Sequence, residues 1–552
     1  MKKYCLFLIC FLFAITTFTQ QLILVDEFSS NYVRISDIDV NQCGTRFYNI
    51  ENVSDSIIIN GQLVQLLPED PAFPFGREYS ITVDANQGVY NVELFKADIS
   101  ILTDSSRLLF TSFNNDTLYV QDTFYINVAN QWGTNLLLHK LRADDNSRVS
   151  VKQWFSEYDC QHLITDAFIY EDNIFISGEY WGNTGGLQLD DHFLDIGSGN
   201  GNTFVGAIDA NNEVKWLKSV SGDNYQRGSM LRMNNKKHIL QIGFSASSYI
   251  YFCEDSLENQ AVIDWGTDFL WFVQFDTSGN CINKKTVDYY YGNIVPTSIN
   301  SLSNGSYVVS GDYFAPFLGF DSTYLYSPVF ENEIDNIGFL VKLDDNLNAQ
   351  AVFQLEGSQG RKSIQSMIID GSDNVLISGY AQVDTLILGD EILVNSTGGS
   401  SFGYLAILNA EFNVISAINL GDATIGRKLI LGQDGNVYAL AGYGTSFLQK
   451  LFRVDYSTNH GEDNFERKKG FEINIFPNPL NSDKRLQFEL SNGLGNRITQ
   501  VEVFDLFGRK IFSESINEQQ GEIKINNTSG ILFVVFQIND RIKIAKKIIV
   551  NY

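Results

Sequence analysis

An all-β fold is predicted by three observations. Aromatic residues make up 13% of the 552-residue chain, with 41 Phe and 26 Tyr, and such residues favour strands. Apolar runs are short, broken by Gly, Asn, Asp and Ser, and the helical period is almost absent. One strand–turn–strand motif recurs about every 65 residues through most of the chain.

The chain opens with what reads as a signal peptide. Lys2-Lys3 supply a positive start, Cys5–Ala14 is an apolar stretch, and Thr17-Phe18-Thr19 places small residues at a cleavage site before Gln20. The apolar stretch is too short for a stable membrane span, and no later segment reaches that length. Residues 1–19 are assigned to the signal, 20–459 to the repeats, 460–470 to a charged linker and 471–552 to a terminal domain.

The repeats begin near Leu22. Their clearest register is an apolar strand ending in Asp or Asn, a polar turn, and a second strand. It reads Phe204–Asp209 with Val214–Leu217, and recurs at Trp271–Asp276, Phe339–Asp344 and Tyr404–Asn409. Weaker copies are Tyr79–Asp84, Leu136–Leu141 and Gln449–Asp455. A strand ending in Gly precedes these copies: Asn173–Gly178, Tyr307–Gly311, Asn374–Gly379 and Asn436–Gly442. Ahead of that lies one more apolar strand, such as Ser366–Asp370 or Lys428–Gly432, joined by tight turns such as Gln433-Asp434-Gly435-Asn436.

Each unit is thus four antiparallel strands, too thin to bury both faces alone. Stacking such sheets around an axis covers the faces, which predicts one β-propeller of seven four-stranded blades. The seventh copy has three strands and stops near Asn459. Leu22–Glu27 is predicted to supply its outer strand and so to close the last blade. The Ile-Ser-Gly strand, the Gly-rich loop and the Phe-Val-x-x-x-Asp strand resemble the propeller repeats of secreted bacterial proteins.

The terminal domain reads as a small Ig-like β-sandwich with strands at Ile473–Phe476, Leu486–Leu490, Ile498–Leu506, Lys510–Ser513, Glu522–Ile525, Leu532–Ile538 and Ile542–Val550. Pro477 and Pro479 end its first strand, since neither donates to a ladder. Three motifs stand in order: Ile475-Phe476-Pro477-Asn478-Pro479, then Val501–Arg509 with Asp505 and Gly508 in a turn, then Gly530–Val534 and the final Lys546-Lys547-Ile548. In that order they resemble the type A C-terminal sorting domain of the type IX secretion system of Bacteroidota. The resemblance implies recognition of Pro477, Asn478, Pro479, Asp505, Gly508, Gly530, Lys546 and Lys547 by the translocon and sorting machinery. It also implies release from the cell or attachment to its outer surface, with the domain usually removed.

Net charge is −26, while residues 471–552 carry ten Lys/Arg against nine Asp/Glu, so the acidity belongs to the repeats. Such a field repels phosphate backbones and argues against nucleic-acid binding. His139, His162, His192, His238 and His460 show no metal-ligand spacing. His139 reads as a packed strand residue. Gly399-Ser400-Ser401-Phe402-Gly403 matches a nucleophile elbow in letters only, since a strand and not a helix follows it. Gly197–Gly201 likewise precedes no helix that could bind an anion.

Asp144-Asp145, Asp190-Asp191, Asp344-Asp345 and Glu331–Asp335 are acidic clusters. They read as turn caps, with Ca²⁺ affinity as the alternative. Trp132, Trp181, Trp265 and Trp271 read as packing residues or, if exposed, as stacking platforms. Cys43, Cys160, Cys253 and Cys281 are spaced too widely and irregularly to give a disulfide framework; Cys253 and Cys281 share one repeat and could pair, and the sequence leaves that open.

The functional reading is a secreted or surface-attached module that binds an extracellular protein or glycan without catalysis. No catalytic, cofactor or metal residue is assigned. The alternative is a polysaccharide lyase or glycosidase with its site in the central funnel. A Tyr/His/Arg or two-carboxylate cluster there favours the enzyme.

Overall fold

The computed structural model describes residues 21–455 and 472–550, apart from connecting segments of which the longest are 66–76, 260–267, 127–132 and 478–483. The signal segment and the linker 460–470 lie outside the described residues, as do Trp132 and Asp144-Asp145. Every regular element described is a β-strand. The chain divides into two compact units, one formed by the repeats from Ile23 to Arg453 and one built on the C-terminal strands.

The repeat strands fall into sets of four antiparallel neighbours. Set 1 is Val33–Val40, Arg46–Asn52, Arg77–Val83 and Val89–Leu94. Set 2 is Ile99–Leu102, Ser106–Phe113, Asn135–Arg142 and Arg148–Trp154. Set 3 is Cys160–Tyr170, Asn173–Gly182, Asn202–Ile208 and Val214–Gly222. Set 4 is Gln226–Met233, Ile239–Ser245, Phe269–Phe275 and Cys281–Thr286. Set 5 is Asn293–Ser301, Tyr307–Phe314, Ile337–Leu343 and Ala349–Gln354. Set 6 is Lys362–Ile369, Val375–Ala381, Phe402–Leu408 and Val414–Asp422. Set 7 is Thr424–Leu431, Val437–Tyr443 and Leu448–Asp455, and its fourth strand is Gln21–Ser29 from the start of the chain.

Third strands are the deepest. Asn202–Ile208, Phe269–Phe275, Ile337–Leu343 and Phe402–Leu408 are buried at every residue, as a strand covered on both faces must be. Asp209, Asp276, Asp344 and Asn409 cap the turns that follow. Each Oδ1 accepts two backbone N–H bonds, from the second and fourth residues beyond it, at 2.8–3.0 Å.

Neighbouring sets share cores. Leu108 and Leu136 of set 2 pack with Ile164 and Ile176 of set 3. One large core runs from Phe175 in set 3 to Tyr404 in set 6. A third joins the two ends of the region: Phe28, Tyr438, Leu440 and Leu451 of set 7 with Tyr48, Ile50 and Tyr79 of set 1. First strands touch in order from set 1 to set 7, and Thr424–Leu431 of set 7 also touches Val33–Val40 of set 1. The Gln433 N–H donates to the Val40 carbonyl at 3.0 Å across that last junction.

A buried polar knot fastens the N-terminal strand. Asp26, wholly buried in set 7, accepts hydrogen bonds from Arg46 and Tyr48 of set 1 and, at 2.7 Å, from Asn60 Nδ2. Burial, then the neighbouring carboxylate, raises the Tyr48 phenol pKa well above its ordinary range.

Short hairpins interrupt sets 1 to 6 between the second and third strands. They are Ser56–Gln65, Thr117–Ile126, Gly186–Asp195, Tyr249–Glu258, Phe317–Tyr326 and Thr385–Val394. Several add themselves to the outer edge of the preceding set. Ile250–Phe252 pairs with Val220–Gly222, and Leu386-Ile387 pairs with Glu356-Gly357. Phe28 and Ser29 of the N-terminal strand likewise receive Ile58 and Ile59. A disulfide joins Cys253 at one hairpin tip to Cys281 at the start of the outer strand of the same set. Cys160 is buried and Cys43 exposed, both as free thiols.

The C-terminal unit is two antiparallel sheets over one core. Glu472–Phe476, Arg485–Ser491 and Gln520–Lys524 form one; Lys510–Glu518, Ile498–Asp505, Gly530–Ile538 and Ile542–Val550 form the other. Leu486, Phe488 and Ile523 from the first meet Val501, Val503, Leu532, Val534 and Phe536 from the second. The first strand stops at Phe476, directly before Pro477.

Candidate functional site at the first strands

Inner edges of the repeat sheets share a local device. The first strands of sets 1, 3, 4, 5, 6 and 7 each carry a β-bulge, between Ile35/Asp37, Ile164/Asp166, Arg227/Met230, Pro296/Ser298, Ile364/Ser366 and Gly426/Lys428. The bulge explains the glycine in the Ile-Ser-Gly motif. A Cβ on Gly178, Gly311 or Gly379 would stand 2.1, 2.7 or 1.9 Å from the carbonyl oxygens of Leu163, Val295 and Ser363 on the bulged strand. Only glycine admits that approach.

Bulges also set which side chains face outward from the inner edge. The bulged residue and those two and four before it lie on one side of the strand. In set 3 these are Thr165, Leu163 and Gln161, half-buried, whereas Ile164, His162 and Cys160 between them are buried. Asn293 and Val295 in set 5 are exposed, and Ile294 between them is buried. Arg227 and Arg427 are exposed; Arg361 is too, at 45% of its side chain, directly before the buried Lys362. Arg34 of set 1 occupies the register position equivalent to Arg227. At these positions in the bulged strands there is no Asp or Glu, in a chain that holds 65 of them.

Carboxylates near this edge are turned into the junctions between sets. Glu179 accepts the Gly228 N–H at 2.7 Å, tying set 3 to set 4. Asp312 accepts the Ile364 N–H at 3.0 Å and the Ser363 hydroxyl at 2.5 Å, tying set 5 to set 6. Burial pushes the Asp312 carboxyl up to about 6, and Glu179 is raised for the same reason. Aromatic rings back the arginines: Arg227 lies 4.9 Å over the Tyr225 ring and Arg361 5.3 Å over Tyr380. Tyr225 donates its hydroxyl to Asp268 at 2.7 Å, and burial raises this phenol to about 12.

The side facing the next set carries a second belt of bonds. Asp166 Oδ2 accepts the Leu231 N–H at 2.9 Å, Ser298 the Met367 N–H at 3.2 Å, and Ser366 the Leu429 N–H at 3.0 Å. This belt ties the first strands of sets 3 and 4, 5 and 6, and 6 and 7 to one another.

The remaining residues singled out by sequence scatter. His139 is buried in a third strand and His162 in a first strand, and burial lowers both to about 4. Ser401 stands before the strand Phe402–Leu408, with no helix beyond. Trp271 is wholly buried, Trp181 is half-buried, and Trp265 lies outside the described residues. Asp190 pairs with Lys152 at 2.8 Å and Asp335 with Lys362 at 3.0 Å. Among the described residues no group of three or more His, Cys, Asp or Glu is arranged to hold a metal ion. Asp505, Gly530, Lys546 and Lys547 stand on strands of the larger C-terminal sheet, and Pro477 follows the first strand of the smaller one. Asn478, Pro479 and Gly508 lie outside the described residues.

Comparison with known proteins gives one family match. Residues 474–551 match the family described as "Secretion system C-terminal sorting domain". Proteins bearing this domain are exported by the type IX system, so this chain is secreted or carried on the cell surface. No curated protein sequence matches the chain. Solved structures that align with the chain include the Dos1 propeller, at 6% identity over 78% of this chain and 95% of that one, TM-score 0.41. An ulvan lyase of family PL25 aligns at 8% identity over 79% and 96%, TM-score 0.40. A DUF4221 protein from Bacteroides vulgatus aligns at 9% identity over 79% and 99%, TM-score 0.29.

Proposed function

We propose that the repeat region is one seven-bladed β-propeller, sealed by the N-terminal strand, that binds an extracellular ligand at its central channel without transforming it. Closure is supported by the cyclic order of first-strand contacts and by the core shared between sets 7 and 1. In such a ring the outward positions of the bulged strands face the axis.

The observation that carries the binding reading is how the ionisable groups at this edge are used. Arginines, amides and hydroxyls face outward, while Glu179 and Asp312 accept backbone N–H bonds between sets. Tyr225 is committed to Asp268 with its phenol raised to about 12, which leaves it a poor base near neutrality. This arrangement recognises; it does not poise an acid against a base.

The C-terminal domain is the export signal, and we assign that role to Pro477, Asn478, Pro479, Asp505, Gly508, Gly530, Lys546 and Lys547. The domain boundaries are those read from sequence: 1–19, 20–459, 460–470 and 471–552. The domain is read as an Ig-like sandwich.

A polysaccharide-cleaving enzyme is the second reading. The grouping of Tyr225, Arg227 and Asp268, and of Tyr380, Arg361 and Asp312, favours it. The test is a glycan and protein binding screen with the exported chain, with and without calcium, followed by product analysis of every glycan retained. Retention with each glycan recovered intact is the expected result. Shortened chains or new reducing ends would replace the binding reading with the enzymatic one.

A further inference from the structure

The outward register of the first strands carries more than a location. From the channel reading above, we infer that the ligand is an acidic sugar chain, threaded along the axis and held by Arg361, Arg227 and Arg427.

Charge sign is the first argument. A protein of net charge −26 places arginines, and no acidic residue, at the outward positions of its bulged first strands. Charges on the outer surface act weakly there, since screening at physiological salt falls off over about 8 Å. Arg361 stands 4.0 Å from the buried Asp312, and Arg227 lies near the buried Asp268 and the half-buried Glu179, so the guanidinium groups are the exposed members of these pairs and the charge a ligand meets first.

Depth is the second argument. Arg361 stands four residues before the bulged Gln365, Arg227 two residues before its bulge, and Arg427 is itself the bulged residue. Two residues of strand advance by roughly 6.6 Å, so the three Cα atoms are staggered over about 13 Å along their strands, on three different sets. A linear chain with a charge on successive residues suits anchors staggered in this way.

Neighbouring groups are the third argument. Gln161, Thr165, Asn293, Thr297 and Gln365 share the outward register, with Leu163, Val295 and Ile425 as apolar interruptions; Ser229 and Ser363 of that register are buried, and Thr165, Thr297 and Gln365 bond to Ser229, Ser310 and Ser363 while keeping further bonding capacity. Amides and hydroxyls match the alternating donors and acceptors of sugar hydroxyls. Guanidinium forks match carboxylate or sulfate in pairs of parallel bonds. Tyr225 and Tyr380 hold the forks of Arg227 and Arg361 from behind, which reduces the order lost on binding.

The test titrates the exported chain with polygalacturonate, dextran sulfate, uncharged dextran and poly-glutamate by calorimetry at several salt concentrations. Binding of polygalacturonate or dextran sulfate, weakening with salt, and none of dextran are the expected results; which polyanion binds tighter tells carboxylate from sulfate. Arg227→Gln, Arg361→Gln and Arg427→Gln should each weaken it about tenfold, and the triple variant should abolish it. Arg361→Lys, which keeps the charge and loses the fork, should fall between wild type and Arg361→Gln. A melting curve of each variant separates lost contacts from lost fold, and Arg361→Lys decides the matter if a glutamine variant unfolds.

Equal binding of dextran, undiminished binding by a folded triple variant, or tighter binding of poly-glutamate would overturn the inference. A neutral glycan or a protein captured in the earlier screen, with both polyanions ignored, would remove the acidic sugar and leave the binding reading in place. Cleavage of a bound polyanion would keep the ligand class and remove the non-catalytic reading.

Discussion

Asp312 shows what a junction costs when it is made with a charge. Its carboxyl sits against Ile364 and Ser363, with Arg361 4.0 Å away, and burial still holds it at about 6. The folded protein therefore binds a proton more readily than the unfolded chain between about pH 4 and 6, so this group favours the fold at low pH and disfavours it as pH rises through 6. His139 and His162 act in the opposite direction. Buried neutral and lowered to about 4, they support the fold fully above pH 6.5 and lose that support as pH falls toward 4. The support given by the two histidines should therefore decline on acidification from 6.5 to 4. Asp312→Asn keeps the bond from the Ile364 N–H, reverses the one with Ser363 and removes the buried charge. It should raise stability at pH 7 by about 1 kcal/mol, leave pH 4 unchanged and steepen the decline between them. Urea denaturation at both pH values checks this, and equal gains at both would show that the carboxyl is not charged at neutrality.

Strands were the most legible elements in the sequence, because alternation and turn chemistry are local. Each of the seven C-terminal strands, and the pairing of Gln21–Ser29 with Leu448–Asp455, follow from short-range patterns and a missing partner. The inserted hairpins were not legible. Strands of four residues such as Ser56–Ile59 and Thr385–Leu388 are too short to show a period, and their partners, Gln21–Ser29 and Glu356-Gly357, lie outside their own sets. The outward arginines were hidden for another reason. A bulge reverses the alternation within the strand, so the face of Arg427 depends on a backbone event its side chain does not announce. The repeated Ser-Gly pair was the available signal, since that glycine admits the close approach of a carbonyl two residues before the bulge.

The N-terminal strand itself can be tested as an element. Asp26→Ala leaves Arg46 buried without its anion and should cost about 3–5 kcal/mol, seen as a large drop in melting temperature. Deleting residues 20–30 should cost more. A melting curve unmoved by either change would refute the fastening role of this strand.

At the scale of the whole molecule, two compact units divide the labour. The C-terminal sandwich has its own core, drawn from both of its sheets. Fusing residues 471–552 to a periplasmic reporter should therefore deliver the reporter outside a host with a type IX system. Retention in the periplasm would deny the domain its export role. The repeats distribute stability differently, since each sheet borrows its cover from its neighbours and the disulfide secures one hairpin to its own outer strand.

Pairing Gln21–Ser29 with Leu448–Asp455 has a consequence for biosynthesis. Ile35 reaches Gln449 across 414 residues of sequence, and Gln21–Ser29 lies beside Leu448–Asp455. Gln21–Ser29 must wait until Leu448–Asp455 has been made before it finds its place. Nascent chains cut short by a stalled ribosome would carry an apolar strand with nothing to dock on, marking them for proteolysis before they compete for export.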